Sequence, residues 1–198
     1  MNTLLEEAEN LVRRLLGDES HQKQWPFHNI GHVALVVEKC KELSNAHGLS
    51  ESMTEEILLA AWFHDVGYIK GNDGHESESA RICRSFLNER DLGSISADVT
   101  IELIMATRYP STPSMLQAKI ICDADLYHLS DVNYEQWSAR LLAEVNIHAG
   151  TITANDWIHI NIEFLSAHKY FTGYARAKWN PQKFSNLEQL KTKWESVD

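Results

Sequence analysis

The sequence has few cysteines, prolines and glycines, and it has no long apolar run. Three cysteines, an odd number without a CxxC spacing, argue against a disulfide framework or a zinc ribbon and fit a reducing cytosol. The longest apolar stretches, such as residues 57–63, are far shorter than the ~20 residues that cross a bilayer. Residues 1–14 are acidic and amphipathic and do not resemble a signal peptide. We therefore expect a cytoplasmic protein that does not enter a membrane.

Positive charge is also scarce. The chain has 18 basic and 28 acidic residues, for a net charge of −10, which disfavours a nucleic acid duplex or an anionic membrane as partner. A small anionic substrate remains compatible with this charge if a metal ion reverses it locally. With 198 residues, 43% hydrophobic and 23% charged, the chain has the size and composition of one globular domain over residues 1–198. It is compatible with a monomer or a homodimer.

Helical periodicity dominates the chain. Only nine glycines and four prolines interrupt it, and no stretch shows sustained alternation of apolar and polar residues. The stretch around residues 57–63 is apolar on nearly every side, which is typical of a central helix. The pattern predicts an all-α fold with nine helices, at about residues 4–15, 33–46, 53–66, 75–90, 95–106, 114–129, 134–145, 154–168 and 186–194.

Histidine is the residue that stands out, with ten in the chain, several of them beside acidic residues. His64 and Asp65 follow each other at the end of the most apolar helix, where two ionisable groups are costly to bury unless they pair or bind a metal. Imidazole and carboxylate are a natural ligand pair for a divalent metal. The alternative is a buried histidine that hydrogen-bonds to its neighbour.

Two further segments supply similar groups. His28 and His32 lie four residues apart, and His32 begins the apolar stripe of its helix and so should point inward. Asp123 and Asp125 lie in an otherwise apolar helix. Because residues two apart diverge by about 200° around a helix, at most one of these carboxylates should reach a shared centre.

These segments resemble the HD superfamily of metal-dependent phosphohydrolases. The order of the motifs, GHVALVV, LLAAWFHDVGY and IICDADLYHLS, is similar to the family's His, His-Asp and Asp motifs on separate helices. The resemblance covers roughly residues 25–130 and implies a single HD-domain bundle of about eight to nine helices. It also implies a divalent metal ion as cofactor, which would be Mn, Mg, Fe, Co, Ni or Zn.

The resemblance assigns the metal ligands to His32, His64, Asp65 and Asp125. Asp125 is preferred to Asp123 because the family's last aspartate is commonly followed by a leucine four residues on, as Leu129 follows here. The motif that follows the His-Asp pair reads VGY, so the lysine of the cyclic-dinucleotide branch and the glutamate of small nucleotidase members are both absent.

Other residues around these motifs are candidates for catalysis and substrate binding. Asp65 or Glu76 would accept the proton of a metal-bound water, although an acidic residue in a first turn such as Glu76 also fits a purely helix-stabilising role. The candidates for substrate binding, chiefly through phosphate oxygens, are Lys70, Arg108 and His28. His75 is a candidate for a second metal ion or for orienting a ligand.

The expected activity is hydrolysis of a phosphate ester of a small molecule, with a nucleotide as the favoured substrate. Two alternatives remain open at this point. One is a degenerate regulatory protein that binds a nucleotide or metal without catalysis, and the other is a di-iron oxygenase on the same fold.

Overall fold

The computed structural model describes residues 3–196, and within that range the chain is helical with no strand. The all-α prediction is therefore confirmed. The ten α-helices are α1 Leu4–Leu16, α2 Glu19–Gln24, α3 Ile30–Ala46, α4 Glu51–Phe63, α5 His75–Asn88, α6 Ala97–Ala106, α7 Leu116–Asp125, α8 Tyr134–His148, α9 Ala154–Ala167 and α10 Gly173–Glu195. Two 3₁₀ turns, Val66–Ile69 and Leu126–Ser130, follow α4 and α7.

Side chains at the helix starts explain where many of these helices begin. Thr3 and Glu6 form a reciprocal capping box at α1. The hydroxyls of Ser50, Ser96 and Thr153 each accept a hydrogen bond from a backbone N–H in the first turn of α4, α6 and α9. Such caps contribute about 0.5–2 kcal/mol each, because they satisfy N–H groups that have no partner within the helix.

The chain divides into two compact units, Met1–Asp125 and Leu126–Asp198. In the first unit α4 is central, since it packs against α1, α3, α5, α6 and α7. Every residue from Ile57 to Phe63 is buried, as the apolar pattern of this helix predicts. The end of this central helix carries the His-Asp pair. A single domain over residues 1–198 stays a prediction.

A buried carboxylate fixes two neighbouring helices to α4. Glu56 accepts hydrogen bonds from the Ser96 backbone N–H and from the Gln117 side-chain amide, both at 2.9 Å. Ser96 caps α6 and Gln117 lies in the first turn of α7. One side chain of α4 therefore sets the positions of the starts of α6 and α7.

The second unit contains α8, α9 and α10. Its core consists of Leu129, Tyr134, Leu165, Leu187 and Leu190. Among residues 3–196, every helix is too short or too polar to span a bilayer.

The structure has ten α-helices where the sequence predicted eight to nine. The additional helix is α2, which has six residues and only one buried side chain, His21. The last helix is also longer than predicted, since α10 begins at Gly173 rather than near residue 186 and continues through Pro181.

Candidate metal centre

Helix ends bring three of the predicted ligands together. His32 lies in the first turn of α3, whose N-cap Asn29 accepts a hydrogen bond from the Gly31 N–H at 2.8 Å. His64 is the C-terminal cap of α4, and Asp125 is the last residue of α7. All three belong to the first unit.

The side chains converge through four atoms. The Nε2 atom of His32 lies 3.0 Å from Asp125 Oδ1 and 3.3 Å from Asp65 Oδ2. The Nε2 atom of His64 lies 3.1 Å from Asp65 Oδ2 and 3.5 Å from Asp125 Oδ1. The two Nε2 atoms are 3.4 Å apart. Two imidazole nitrogens and two carboxylate oxygens thus surround one point.

The ring of His64 is oriented by the backbone. Its Nδ1 lies 2.8 Å from the Ala61 carbonyl oxygen, which can only accept, so Nδ1–H is the donor. In the neutral ring the lone pair is then on Nε2, the atom that faces the cluster. A backbone carbonyl behind the ring is the usual way in which proteins orient a metal-binding histidine.

The cluster fits a metal ion by its chemistry and by its spacing. Ligands about 2.1 Å from an ion lie roughly 3.0–3.4 Å from each other in octahedral or tetrahedral arrangement, close to the separations observed here. Among residues 3–196, the histidine, cysteine and carboxylate groups that come together in this way are His32, His64 and Asp125. Asp65 Oδ2 is buried beside them and faces the two Nε2 atoms, with no backbone N–H donating to it within the described residues. A cation would satisfy this buried oxygen.

The two histidines and the two carboxylates of the cluster shift one another's pKa values. Burial lowers the pKa of both histidines, but the hydrogen bonds and charges of Asp65 and Asp125 outweigh it, so the pKa of His32 is raised and that of His64 is raised well above its usual value. Burial acts against both carboxylates, yet the histidines hold the pKa of Asp65 and of Asp125 well below the usual range. The negative charge of the two carboxylates therefore favours either protonated histidines or a bound cation at this point.

Removal of the ion is expected to destabilise the protein in a pH-dependent way. A ligand that binds only the folded state adds about 2.7 kcal/mol at a hundredfold excess over Kd, equivalent to about 5–10 °C in Tm for a chain of this size. The pKa values of His32 and His64 are raised, so the protonated histidines and the two carboxylates attract each other in the metal-free fold. This attraction stabilises the fold fully below the usual histidine pKa of 6.5, and it is lost as pH rises through the raised pKa of the folded state. Metal binding must displace the same protons.

Thermal melts with and without chelator check this expectation. The loss of Tm on chelation should be larger at pH 7.5 than at pH 5.5, and added ion should reverse it. The starting protein must carry metal by elemental analysis. A chelator effect that is absent at pH 7.5, or equal at both pH values, would contradict the assignment of these four residues.

The loop after the His-Asp pair is held tightly against α5. The Gly67 N–H donates to Ser79 Oγ at 2.8 Å, and a Cβ at position 67 would lie 2.0 Å from the His75 carbonyl oxygen. Only glycine allows this approach. We expect Gly67→Ala to reduce the free energy of unfolding by about 2 kcal/mol, in the range for overpacked sites. Denaturant unfolding measures this, with Gly173→Ala as control, since a Cβ there meets no atom closer than 3.9 Å.

The start of α5 places two predicted residues next to the cluster. His75 Nε2 lies 3.7 Å from Asp65 Oδ1 and 3.8 Å from Glu76 Oε1. Glu76 is buried, and its Oε2 lies 3.5 Å from the guanidinium of Arg108, which also donates to Ser77 Oγ at 3.0 Å. The predicted proton acceptor and the predicted phosphate-binding arginine therefore contact each other, although they are 32 residues apart in the chain.

An aromatic stack beside these residues was not predicted. Tyr68 is stacked between His28 and His75, with ring centroids 4.1 and 4.2 Å away, and Trp25 meets its edge at 4.7 Å. The Tyr68 hydroxyl donates to Asn72 Oδ1 at 3.2 Å. No local pattern predicts this stacking, because His28 and His75 belong to separate segments of the chain.

Two candidate residues lie outside this arrangement. Lys70 is exposed on the loop after the His-Asp pair, and its charge acts on Glu78. Asp123 is buried on α7, but the carboxylate that meets the two histidines is that of Asp125. This follows from helix geometry, because residues two apart point in different directions.

Comparisons with known proteins bear on the family and the fold. The HD domain family matches residues 29–130. A crystal structure of a predicted HD superfamily hydrolase from an uncultured Thermotogales bacterium is similar to this chain, with a TM-score of 0.64 and 20% sequence identity over 98% of this chain and 92% of the other. A search of curated proteins finds no match.

Proposed function

The chain belongs to the HD domain family, and from that premise we propose that it is a metal-dependent phosphohydrolase. Its substrate is a phosphate ester of a small molecule, with a nucleotide as the favoured class. The proposed metal ligands are His32, His64, Asp65 and Asp125, and the ion is Mn, Mg, Fe, Co, Ni or Zn.

One observation carries this proposal. The four residues proposed as ligands lie together, with separations of 3.0–3.5 Å among their two imidazole nitrogens and two carboxylate oxygens. A regulatory protein that had lost catalysis would have no need to keep all four. The retained set therefore favours an enzyme over a degenerate nucleotide-binding protein.

When bound, a divalent ion lowers the pKa of a coordinated water and offsets negative charge on phosphate oxygens. The side chains of this protein supply the remaining functions. Asp65 and Glu76 are the proposed proton acceptors for the attacking water. Glu76 suits this role because it is buried beside the cluster and its Oε1 faces His75, which in turn faces Asp65.

Arg108 is the proposed phosphate-binding residue. Its side chain is 51% exposed, so it can meet a ligand from solvent, while its guanidinium already lies against Glu76 and Ser77. A planar guanidinium with five N–H donors suits the oxygens of a phosphate. His28, held against Tyr68, and the exposed Lys70 are further proposed contacts for the substrate.

A di-iron oxygenase is the competing enzyme class, and it requires two well-formed metal sites. Within residues 3–196, His32, His64 and Asp125 form the one group of ligand atoms close enough to share an ion. His75 Nε2 lies outside this group, 3.7 Å from Asp65 Oδ1 and 3.8 Å from Glu76 Oε1. One compact cluster favours a hydrolase. Two irons per chain together with oxygen consumption would favour the oxygenase instead.

Metal dependence of phosphate release tests the proposal. Protein dialysed against chelator is assayed on a generic phosphomonoester and then on a panel of nucleotides, with each of the six ions added separately. We expect no release without metal and restoration by at least one ion. Metal binding without release from any phosphate ester, under all six ions, would contradict catalysis and support the regulatory alternative.

A further inference from the structure

A pocket of about 440 Å³ lies beside Arg108, between the end of α6 and the start of α7. We call it the 105–118 pocket. Its walls include Met105, Arg108, Tyr109, Ser114, Met115 and Ala118. The volume is within the range of small-molecule sites, about 300–1,000 Å³. Nothing in the catalytic arrangement described above uses these walls, apart from Arg108.

Helix α7 connects this pocket to the metal ligands. Ala118 and Asp125 are seven residues apart, which is about two helical turns, so they lie on the same face of α7 and about 10 Å apart along its axis. Cys122 lies between them on this face, where its thiol donates to the Ala106 carbonyl at the end of α6. The pocket and the cluster are therefore neighbours along one helix face.

Arg108 is a second structural link between the 105–118 pocket and the residues beside the metal ligands. Its guanidinium contacts Glu76 and Ser77 at the start of α5, while the residue also forms part of the pocket wall. A phosphate bound by Arg108 would therefore lie at the edge of this pocket. A group attached through seven or eight covalent bonds spans on the order of 10 Å and would reach the pocket.

We propose that the 105–118 pocket binds the alcohol part of the phosphate ester, and that this alcohol carries a flat ring which packs against Tyr109. This inference rests on the proposed function, because it assigns the part of the substrate that remains after phosphate is released. Tyr109 is the specificity-determining residue in this assignment.

The chemistry of the walls supports a ring. Tyr109 is 67% exposed and lies between Arg108 and Pro110, so an aromatic surface adjoins the phosphate-binding residue. Met105 and Met115 are half-buried thioethers, which pack well against aromatic edges. Hydroxyls of Ser111, Thr112 and Ser114 add hydrogen-bonding groups at the rim. A nucleoside combines a flat ring with hydroxyls and fits this set of walls.

Two variants test the pocket without disturbing the core. Tyr109→Ala removes the aromatic surface, and Ser114→Trp fills the pocket from an exposed position. Tyr174→Ala is the matched control, since this tyrosine lies in α10 and its hydroxyl accepts from Lys178. The probes are adenosine monophosphate, which has a ring, and glycerol phosphate, which has none. Calorimetry gives Kd for each probe, and phosphate release gives kcat/KM.

We expect Tyr109→Ala and Ser114→Trp each to raise Kd for adenosine monophosphate about tenfold, as for the loss of one base–aromatic stack. Binding of glycerol phosphate should change less than twofold, and metal content should not change. Equal adenosine monophosphate binding by wild type and both variants would overturn the proposal, as would absence of binding to wild type.

The calorimetric binding measurements distinguish the pocket assignment from the proposed hydrolase function. If wild type binds adenosine monophosphate in a Tyr109-dependent way but releases no phosphate from any ester, the pocket assignment stands and the hydrolase proposal fails. If wild type hydrolyses both probes and the variants match it, the hydrolase stands and the pocket assignment fails.

Discussion

His64→Ala is expected to lose bound metal together with the proposed phosphohydrolase activity. The Nε2 atom of His64 contacts three of the other ligand atoms at 3.1–3.5 Å, and its backbone hydrogen bond aims it at them. Loss of a residue that only orients a ligand costs about 10–100-fold in affinity or activity, so loss of the ligand itself should exceed about 100-fold. Elemental analysis after dialysis and a phosphate-release assay measure the two effects.

His159→Ala is the matched control for this experiment. His159 is an exposed histidine on α9 that pairs with Glu163 at 3.4 Å, so its removal should alter neither metal content nor activity. Full metal occupancy in His64→Ala would contradict the four-ligand arrangement. Loss of metal from both variants would show that the effect does not come from the cluster.

The two aspartates of α7 provide a second comparison. Asp125→Asn should reduce metal affinity more than Asp123→Asn, because Asp125 Oδ1 lies 3.0 Å from His32 Nε2. Asp123 is buried elsewhere on the helix, so its substitution should act mainly on stability. The reverse order of metal affinities would show that Asp123 is the ligand.

Most of the helices were predicted from their apolar pattern, but helix α2 and the first half of α10 were missed. The fully buried run 57–63 lies in α4 as expected, and the breaker at residues 109–113 separates α6 from α7. Helix α2 was not predicted because its six residues are polar and show no apolar periodicity. The first half of α10 was not predicted because a proline inside a helical pattern normally ends the helix. Here the helix continues through Pro181.

The sequence motifs predicted the candidate metal ligands, but not the contacts among the residues that surround them. His32, His64, Asp65 and Asp125 stand in recognisable motifs, and each motif positions its own side chain. The contact between Glu76 and Arg108 depends on how α5 packs beside the end of α6, which no local pattern encodes. The same holds for the stacking of Tyr68 between His28 and His75.

Substitution of Glu76 and Arg108 should separate proton transfer from phosphate binding. Neither is a proposed metal ligand, so both Glu76→Gln and Arg108→Ala should retain metal. Loss of a proton acceptor lowers kcat by about 10²–10⁴-fold, whereas loss of a contact made equally in ground and transition states raises KM. We therefore expect Glu76→Gln to act on kcat and Arg108→Ala to raise KM by about 10–100-fold, the range for charged hydrogen bonds.

The controls come from the same part of the chain. Glu78→Gln alters a half-buried acid in the same helical turn that pairs with Arg81, and Arg84→Ala removes an exposed arginine that pairs with Asp98. Both should leave the kinetics unchanged. Because Glu76 and Arg108 contact each other, the double variant should lose less than the product of the two single losses.

The kinetics and the stability of Glu76→Gln and Arg108→Ala decide between a catalytic pair and a structural one. If the ion pair only holds the start of α5 against the end of α6, either substitution should lower the free energy of unfolding and leave kcat and KM of the folded fraction intact. A catalytic role predicts the opposite, with kcat reduced in Glu76→Gln at unchanged metal content and little change in the midpoint of denaturant unfolding. Wild-type kinetics in both Glu76→Gln and Arg108→Ala would give these two residues a purely structural role and leave Asp65 as the proton acceptor.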